Sequence, residues 1–461
     1  MNFRSGIRTL ALSAVCGAAL AGCSTIDGLF SEKKGPPLPG ARVAVLLQDE
    51  GISPDRALAE VKIELPKPAA NPAWPQPGGY PNHAMHHLAL GPAPQRAWSS
   101  SIGNGSGRYQ RLLAQPVLGD GLIFTMDAAA RVRAFSADAG SQLWSVEVLQ
   151  KSSTIFSSIN PLNWGSSEGG ELGGGVAYAD GLVVVTTGQG DVLALDAKSG
   201  KEVWRTPAAA PFRAAPTVAN GRIFAVTVEN ELIVFDLKKG EKLWSFAGTP
   251  ETTTILGGAS PAVDGDTVVV PMSTGEIVAL RADNGRTLWS ERLAALRPRD
   301  QVSNIADIRG NPVIDRGMVF AVSQSGRLAA IDIRSGQRVW DIDVGSLQTP
   351  WVAGDYVFFV TGEGDLAAAQ RRDGKVRWTT NLNNLVDDKT RRKQFIVWTG
   401  PVLAGDRLIV TGSHGKAVSI SPYTGKALGE IKTNEGILIQ PVVANNTIYF
   451  LDDGGRLTAM R

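Results

Sequence analysis

Few side chains of this 461-residue sequence are placed to do chemistry. Both cysteines, Cys16 and Cys23, lie near the amino terminus, so the rest of the chain has no disulfide, cysteine metal site or thiol nucleophile. His83, His86 and His87 form an H-x-x-H-H cluster of a kind that can bind a metal ion. No carboxylate or cysteine stands nearby to complete a coordination shell, so a polar loop is the favoured interpretation.

Two other motifs for enzymatic chemistry are also missing from the sequence. It contains no P-loop and no pair of metal-binding histidines on a helix. The glycines Gly103, Gly105 and Gly107 resemble a weak phosphate-binding pattern, but no recognisable helix follows them. They therefore indicate a turn.

The first 22 residues are typical of a secretory leader. Arg4 and Arg8 precede an apolar run to about Ala21, which is shorter than the ~20 residues that span a membrane. The run ends in Leu-Ala-Gly-Cys23, which resembles the lipobox of bacterial lipoproteins, whose cysteine is acylated and becomes the new amino terminus. Ser24 follows instead of aspartate, and by resemblance to lipoprotein sorting signals this favours the outer membrane. The alternative is an ordinary signal peptide in which Cys23 is incidental.

Charge and composition exclude some classes of protein. Without Arg4 and Arg8, the 46 basic residues fall to 44 and equal the 44 acidic ones, so no general attraction to nucleic acid is expected. The 52 glycines and 26 prolines suit a chain with many tight turns better than a helical one.

Residues 23–95 are predicted to be a lipidated tether. The stretches KKGPPLPG and LPKPAANPAWPQPGGYPNHAM are rich in proline and glycine and show no lasting periodicity. The predicted organisation is therefore a leader at 1–22, a tether at 23–95 and a repeat domain at 96–461.

Two motifs alternate through the repeat domain. The first is a proline, an apolar run, a Gly/Asp/Asn turn and a second apolar run, as in PVLGDGLIFTM from residue 116. The second is a phrase such as ALDAKSGKEVW at 194–204. Copies of the first motif begin about 46 residues apart, a spacing typical of propeller blades. Each unit predicts four short strands, with Gly200 and its equivalents at positive φ and the tryptophan as a structural wedge between neighbouring sheets.

The number of copies predicts how the ring closes. There are eight first hairpins but seven second turns, because the eighth unit ends with GGRLTAMR at 454–461. A spare strand, RAWSSSIG at 96–103, has Trp98 at the motif position. Pairing the two ends predicts an all-β, eight-bladed propeller of four-stranded antiparallel blades with no open edge between the first and last blade.

The repeated phrase resembles the repeat of pyrroloquinoline quinone (PQQ) enzyme propellers. Quinone-dependent dehydrogenases share this repeat with the non-enzymatic lipoproteins of the outer-membrane β-barrel assembly factor BamB family. The lipobox, the tether and eight units fit the BamB family, and residues 163–200 and 300–314 look like segments of its alphaproteobacterial members. This resemblance implies a monomeric ring without a cofactor, docked on the periplasmic domains of BamA within the assembly complex at the outer membrane. Direct binding of unfolded outer-membrane proteins is left open.

Two alternatives remain at this point. A quinone dehydrogenase would by resemblance hold PQQ in the channel with calcium, an aspartate base and, in many cases, an adjacent cysteine pair. The repeat domain has no cysteine and no dense run of the oxygen ligands that calcium prefers. The other alternative is a different periplasmic scaffold, for example one that binds peptidoglycan or an envelope enzyme.

The BamB resemblance also implies partner-binding residues. In that family a Leu-x-Leu-Arg loop and a nearby Asp-x-Asp loop make much of the contact, and the matching stretches here are TTILGG and ADIRGN. Ile255 keeps an apolar side chain, Leu256 stands in place of the arginine, Asp307 matches the first acid and Arg309 replaces the second. The basic residue has thus moved from one loop to the other. Both loops could instead be ordinary connections between blades.

Replacing Cys23 by alanine tests the predicted anchor. Because acyl chains contribute ~0.8 kcal/mol for each buried methylene, Cys23→Ala should leave the protein soluble or uncleaved. Flotation with outer-membrane vesicles, compared with wild type, measures this loss. Unchanged, detergent-dependent fractionation of the variant would exclude the anchor.

Overall fold

The computed structural model describes residues 52–150, 173–251, 255–293, 306–392 and 394–461, and they form eight antiparallel sheets of four strands each. In chain order the first strands are β1 (Arg96–Ser101), β2 (Val117–Gly119), β3 (Leu122–Met126), β4 (Arg131–Ser136), β5 (Gln142–Glu147), β6 (Gly174–Ala179), β7 (Leu182–Thr187), β8 (Asp191–Asp196), β9 (Glu202–Pro207), β10 (Thr217–Ala219), β11 (Arg222–Val226), β12 (Glu231–Asp236), β13 (Lys242–Ala247), β14 (Ala262–Asp264), β15 (Thr267–Pro271), β16 (Glu276–Arg281) and β17 (Thr287–Arg292).

The remaining strands are β18 (Val313–Asp315), β19 (Met318–Ser323), β20 (Arg327–Asp332), β21 (Arg338–Ile342), β22 (Trp351–Ala353), β23 (Tyr356–Val360), β24 (Asp365–Gln370), β25 (Val376–Asn381), β26 (Trp398–Ala404), β27 (Arg407–Gly412), β28 (Lys416–Ile420), β29 (Ala427–Lys432), β30 (Val442–Ala444), β31 (Thr447–Leu451) and β32 (Arg456–Met460). Short 3₁₀ helices at Arg56–Leu58 and Leu382–Leu385 and an α-helix at Asp388–Arg391 complete the described elements. None of the helices in these ranges is long and apolar enough to cross a membrane.

The sheets are the blades of a propeller. Blade 1 is β2–β5, and each later group of four strands forms the next blade up to blade 7, β26–β29. The first strands of successive blades, such as β2 and β6, lie side by side around the centre. Blade 8 contains β30–β32 and takes its fourth strand from the other end of the repeat domain, since β1 pairs antiparallel with β32. The predicted eight-bladed fold and its closure are confirmed.

The sequence of each blade reflects burial on both faces of its sheet. In β7, for example, Val183, Val184 and Val185 have no exposed surface, so an apolar run replaces the alternating pattern of a half-buried strand. The first hairpin turns sharply at Asp120 and Gly121, whose φ values of 50° and 74° are both positive, as a type I′ turn requires.

The repeated phrase forms the contact between successive blades. Trp144, on the fourth strand of blade 1, donates its Nε1–H to the carbonyl of Ala197 in blade 2 at 2.9 Å. A Cβ at Gly200 would lie 2.8 Å from the Trp144 ring, so only glycine lets the turn lie on the indole. The tryptophans are therefore structural, as predicted. The same donation is made by Trp98, Trp204, Trp289, Trp340 and Trp378 to the carbonyls of Ala137, Leu237, Ile333, Arg371 and Pro422.

Residues 69–95, here named the crossing segment, run across the propeller. Their composition predicted part of a tether, but they pack on the blades: Trp74 is fully buried and its ring lies 6.4 Å from that of Trp351. The segment hydrogen bonds to every blade in turn, from blade 1 to blade 8 through Trp74 N–H to Leu118 O, Tyr178 N–H to Pro75 O, Val218 N–H to Gln76 Oε1, Val263 N–H to Pro81 O, Ile314 N–H to Asn82 O, Trp351 Nε1–H to His86 O, Leu88 N–H to Leu403 O and Asn71 Nδ2–H to Val443 O.

The preceding residues also lie on the propeller. The backbone N–H of Asp55 donates to Val376 O on the fourth strand of blade 6, and Arg377 Nε donates to Val61 O. The rest of the predicted tether, together with Cys23, falls outside the described residues.

The histidine cluster belongs to the crossing segment and not to an exposed loop. His83 and His87 are buried, and their Nδ1 atoms lie 2.7 Å from the carbonyls of Pro312 and Pro66. Burial lowers the pKa of His83 to about 4, so this ring is neutral at physiological pH. Across the described ranges, no three metal-ligating side chains come together. The polar-loop prediction did not include this burial, in which His83 bonds to the backbone of Pro312 and His87 to the backbone of Pro66 and Asp406.

A matched pair of tryptophans measures the indole hydrogen bond. Trp289 Nε1 donates to Ile333 O at 2.7 Å, whereas the buried Nε1 of Trp244 has no partner among the described residues. We expect Trp289→Phe to lower the free energy of unfolding by about 1–2 kcal/mol more than Trp244→Phe, because only the former leaves a carbonyl unsatisfied. Denaturant unfolding of the two variants checks this, and equal losses would contradict it.

Candidate functional site

A cavity of about 450 Å³ opens at the centre of the propeller. It is bordered by loops that precede the first strands of the blades, and Leu256 and Val397 at its edge are about 40% exposed. The apolar side chains around it are Leu113, Ile255, Leu256, Leu347, Val397 and Leu438, and the basic ones are Arg111, Arg213 and Arg309. The combination suits a partner surface that offers both apolar and acidic groups.

The two loops singled out by the sequence meet at this cavity. One carboxylate oxygen of Asp307 accepts the backbone N–H of Ile255 at 2.9 Å, and the other accepts Arg213 Nη2 at 2.6 Å. Asp307 is completely buried and Arg213 is 5% exposed. Asp307 was predicted to contact a partner, but its burial gives it a different role, which is to hold the Ile255 loop in place.

Leu256 and Arg309 remain available at the surface. Leu256 is exposed, and Arg309 is half-buried. A Cβ built on Gly257 would lie 3.4 Å from Arg309 Nε, so the arginine of the second loop lies against the first. The second loop therefore presents the basic group of Arg309 beside the first loop, where the BamB resemblance implied an arginine.

Arg309 has an unusual electrostatic environment. Burial lowers the pKa of its guanidinium, and the neighbouring carboxylate of Asp307 opposes that shift. Asp307 is already paired with Arg213, and within the described part of the chain no hydrogen bond or ion pair reaches Arg309. A half-buried cation without an internal partner is suited to receive a carboxylate from another molecule.

Sequence reasoning missed Arg213, which precedes the first strand of blade 3. It also lies 3.3 Å from Asn230 Oδ1, and Asn230 in turn contacts Ser273. Arg213 and Asp307 are 94 residues apart, and no spacing in the chain relates them. The pair becomes recognisable only when the ring brings blades 3, 4 and 5 together.

The cavity does not fit a quinone held with calcium. Among the described residues that line it, Asp453 is the single carboxylate and no aromatic ring is present to stack on a planar cofactor. Burial raises the pKa of Asp453, and its Oδ1 accepts Ser106 Oγ–H at 3.1 Å. Ser106 lies within the glycine pattern of Gly103 to Gly107, which forms a loop and not a phosphate site, since Ser106 N–H also bonds to Asp453 O.

These features define a class: an eight-bladed propeller of PQQ-type repeats whose channel mouth is apolar and basic. Solved structures with the same fold include BamB from Moraxella catarrhalis, with a TM-score of 0.65, 20% identity and coverage of 80% of this chain and 100% of that one. A quinohemoprotein alcohol dehydrogenase from Comamonas testosteroni has a TM-score of 0.64 at 16% identity and covers 85% of this chain and 81% of its own. These likenesses establish the fold.

Sequence comparison identifies the family. The family model described as "Outer membrane protein assembly factor BamB" matches residues 128–380 and 388–461. The BamB of Salmonella typhimurium is 32% identical over 370 residues, which cover 80% of this chain and 88% of the relative. That of Xanthomonas campestris is 28% identical over 458 residues, covering 98% and 97%. This chain belongs to the BamB family of outer membrane protein assembly factors.

The acidic residue and the basic residue of the second loop, Asp307 and Arg309, should respond differently to mutation. Asp307→Ala leaves the buried Arg213 unpaired and should lower the free energy of unfolding by about 3–5 kcal/mol. Arg309→Ala removes a charge without an internal partner and should change it by less than about 1 kcal/mol. Thermal and denaturant unfolding compare the variants. A similar loss for both would mean that Arg309 is structural.

Proposed function

We propose that this chain is a non-enzymatic scaffold of the outer-membrane β-barrel assembly machinery and docks on the periplasmic domains of BamA. Its family membership supports a place in that machinery, since the relatives are named outer membrane protein assembly factors. The observation that favours this docking site is the meeting of Ile255, Leu256 and Arg309 at the mouth of the cavity.

The chemistry of the site indicates how docking would work. Leu256 provides an apolar group that a partner can bury, and interface energy is commonly concentrated in such central anchors. The guanidinium of Arg309 is already partly desolvated in the free protein. Pairing it with a carboxylate of the partner therefore costs less desolvation free energy. Arg213 and Asp307 hold the loop geometry before binding, which lowers the ordering cost of association.

No bond is made or broken in this function. The lining residues of the described cavity do not supply the ligands or the stacking ring that a quinone cofactor needs. The ring would act as a rigid platform at the periplasmic face of the outer membrane, with acylated Cys23 as its anchor. Unfolded outer-membrane chains would then be folded by the machine that the ring helps to hold together.

A leucine pair tests the docking surface. Leu256 at the cavity is 39% exposed, and Leu428 on the fourth strand of blade 7 is 55% exposed, so Leu→Asp at either position should leave the melting temperature unchanged. Leu256→Asp should reduce recovery of BamA at least tenfold in a crosslinked pull-down from the native envelope, because an apolar anchor contributes about 1.5–3 kcal/mol.

Leu428→Asp is the control and should recover BamA at the wild-type level. If Leu256→Asp melts normally and recovers as much BamA as Leu428→Asp, the docking surface lies elsewhere on the ring.

A further inference from the structure

One interface between blades lacks the Trp–Gly contact that joins the others. Blade 7 has Gly429 at the position of the motif tryptophan on β29. Blade 8 has no turn to receive such a ring, because its third strand, β32, ends at Met460 and its fourth strand, β1, begins anew at Arg96. The interface between blades 7 and 8 is therefore missing both halves of the contact. It also borders blade 8, within which β1 and β32 close the ring without a covalent link.

The crossing segment passes over this interface. On the blade 7 side, Leu88 N–H donates to Leu403 O at 3.1 Å, and Asp406 N–H donates to His87 Nε2 at 3.0 Å. The Arg407 guanidinium also donates to the carbonyl of Gly91. On the blade 8 side, Gln95 and Arg461 exchange backbone hydrogen bonds just before β1 begins. The segment thus bonds to both blades within nine residues of chain, 87–95.

Apolar packing accompanies these bonds. Leu88 and Leu90 are 3% and 8% exposed and belong to one hydrophobic cluster with side chains of blades 6, 7, 8 and 1. At the other interfaces an indole fills the corresponding space between blades. Two leucines from outside the repeat therefore supply apolar surface at the interface that has no tryptophan.

We propose that the crossing segment is a clasp that holds blade 8 against blade 7, in place of the absent Trp–Gly contact. Its hydrogen bonds to all eight blades distribute that restraint around the centre. The inference does not depend on BamA binding.

The clasp also forms the inner wall of the cavity. Pro77 lines the cavity, and the adjacent Gly78 donates its N–H to Gln115 Oε1 at 2.8 Å. Gln115 Nε2 in turn donates to Gln440 O at 2.9 Å, which links blade 1 to blade 8. Displacement of the clasp would therefore loosen the wall of the cavity at blades 1 and 8.

Hydrogen–deuterium exchange of the full chain tests this proposal. We expect Leu88→Ala combined with Leu90→Ala to accelerate exchange at least tenfold in β26 and β30, the first strands of blades 7 and 8. The first strands of blades 4 and 5, which are joined by Trp289, should change much less. Leu428→Ala, at an exposed position on β29 of blade 7, is the control and should leave all exchange rates at the wild-type level.

Two outcomes would overturn the clasp. One is an unchanged pattern in the double variant, and the other is acceleration spread evenly over all interfaces, which would indicate general destabilisation. If the double variant does not fold, His87→Ala provides the milder change, because it removes one bond to Pro66 and one to Asp406. Exchange rates in the first strands of blades 7 and 8 are then compared with those of blades 4 and 5 in the same way.

Discussion

The contact between an indole and the turn of the next blade is the interaction on which the architecture depends. The tryptophan fills the space between two sheets, donates its N–H to a carbonyl of the turn and lies where only a glycine fits. Each partner would be poorly placed without the other, because a Cβ on Gly200 would clash with Trp144 and a missing ring would leave the carbonyl of Ala197 unsatisfied. Each of these blades contacts one neighbour through its tryptophan and the other through its glycine turn, so this mutual requirement explains why both residues recur in the repeated phrase.

A rigid ring makes the docking site possible. Arg213, the Ile255 loop and Asp307 precede the first strands of blades 3, 4 and 5, and their geometry is set by how those blades pack. An ion pair this deeply buried is stable only when both charges are held at bonding distance, since desolvation would otherwise outweigh their attraction. The contacts between blades fix the positions of these two charges, although the contacts themselves lie elsewhere in the ring.

The limits of prediction from sequence follow from the range of each interaction. The blades, their number and the closing strand were predictable because their turns and strands are encoded locally and repeated. The crossing segment could not be predicted, because its single bonds to each of eight blades produce no repeated pattern in the sequence. Its proline-rich composition is also that of a tether, although Trp74 is buried. For the site, Leu256 and Arg309 lie at one surface, whereas the burial of Asp307 depends on Arg213, which is 94 residues away.

The presence of a basic residue on the second loop has a physical consequence. Two loops that touch can present a basic group at the same surface from either loop, provided that the side chain spans the gap between them. Arg309 does so by lying against Gly257, a position where a bulkier side chain would compete for the same space. Because Asp307 is already paired with Arg213, Arg309 forms no ion pair of its own with any of the described residues. Partial burial of such a group lowers the stability of the free protein. Docking of a carboxylate would remove that cost, so the arrangement favours the bound state of the ring over the free one.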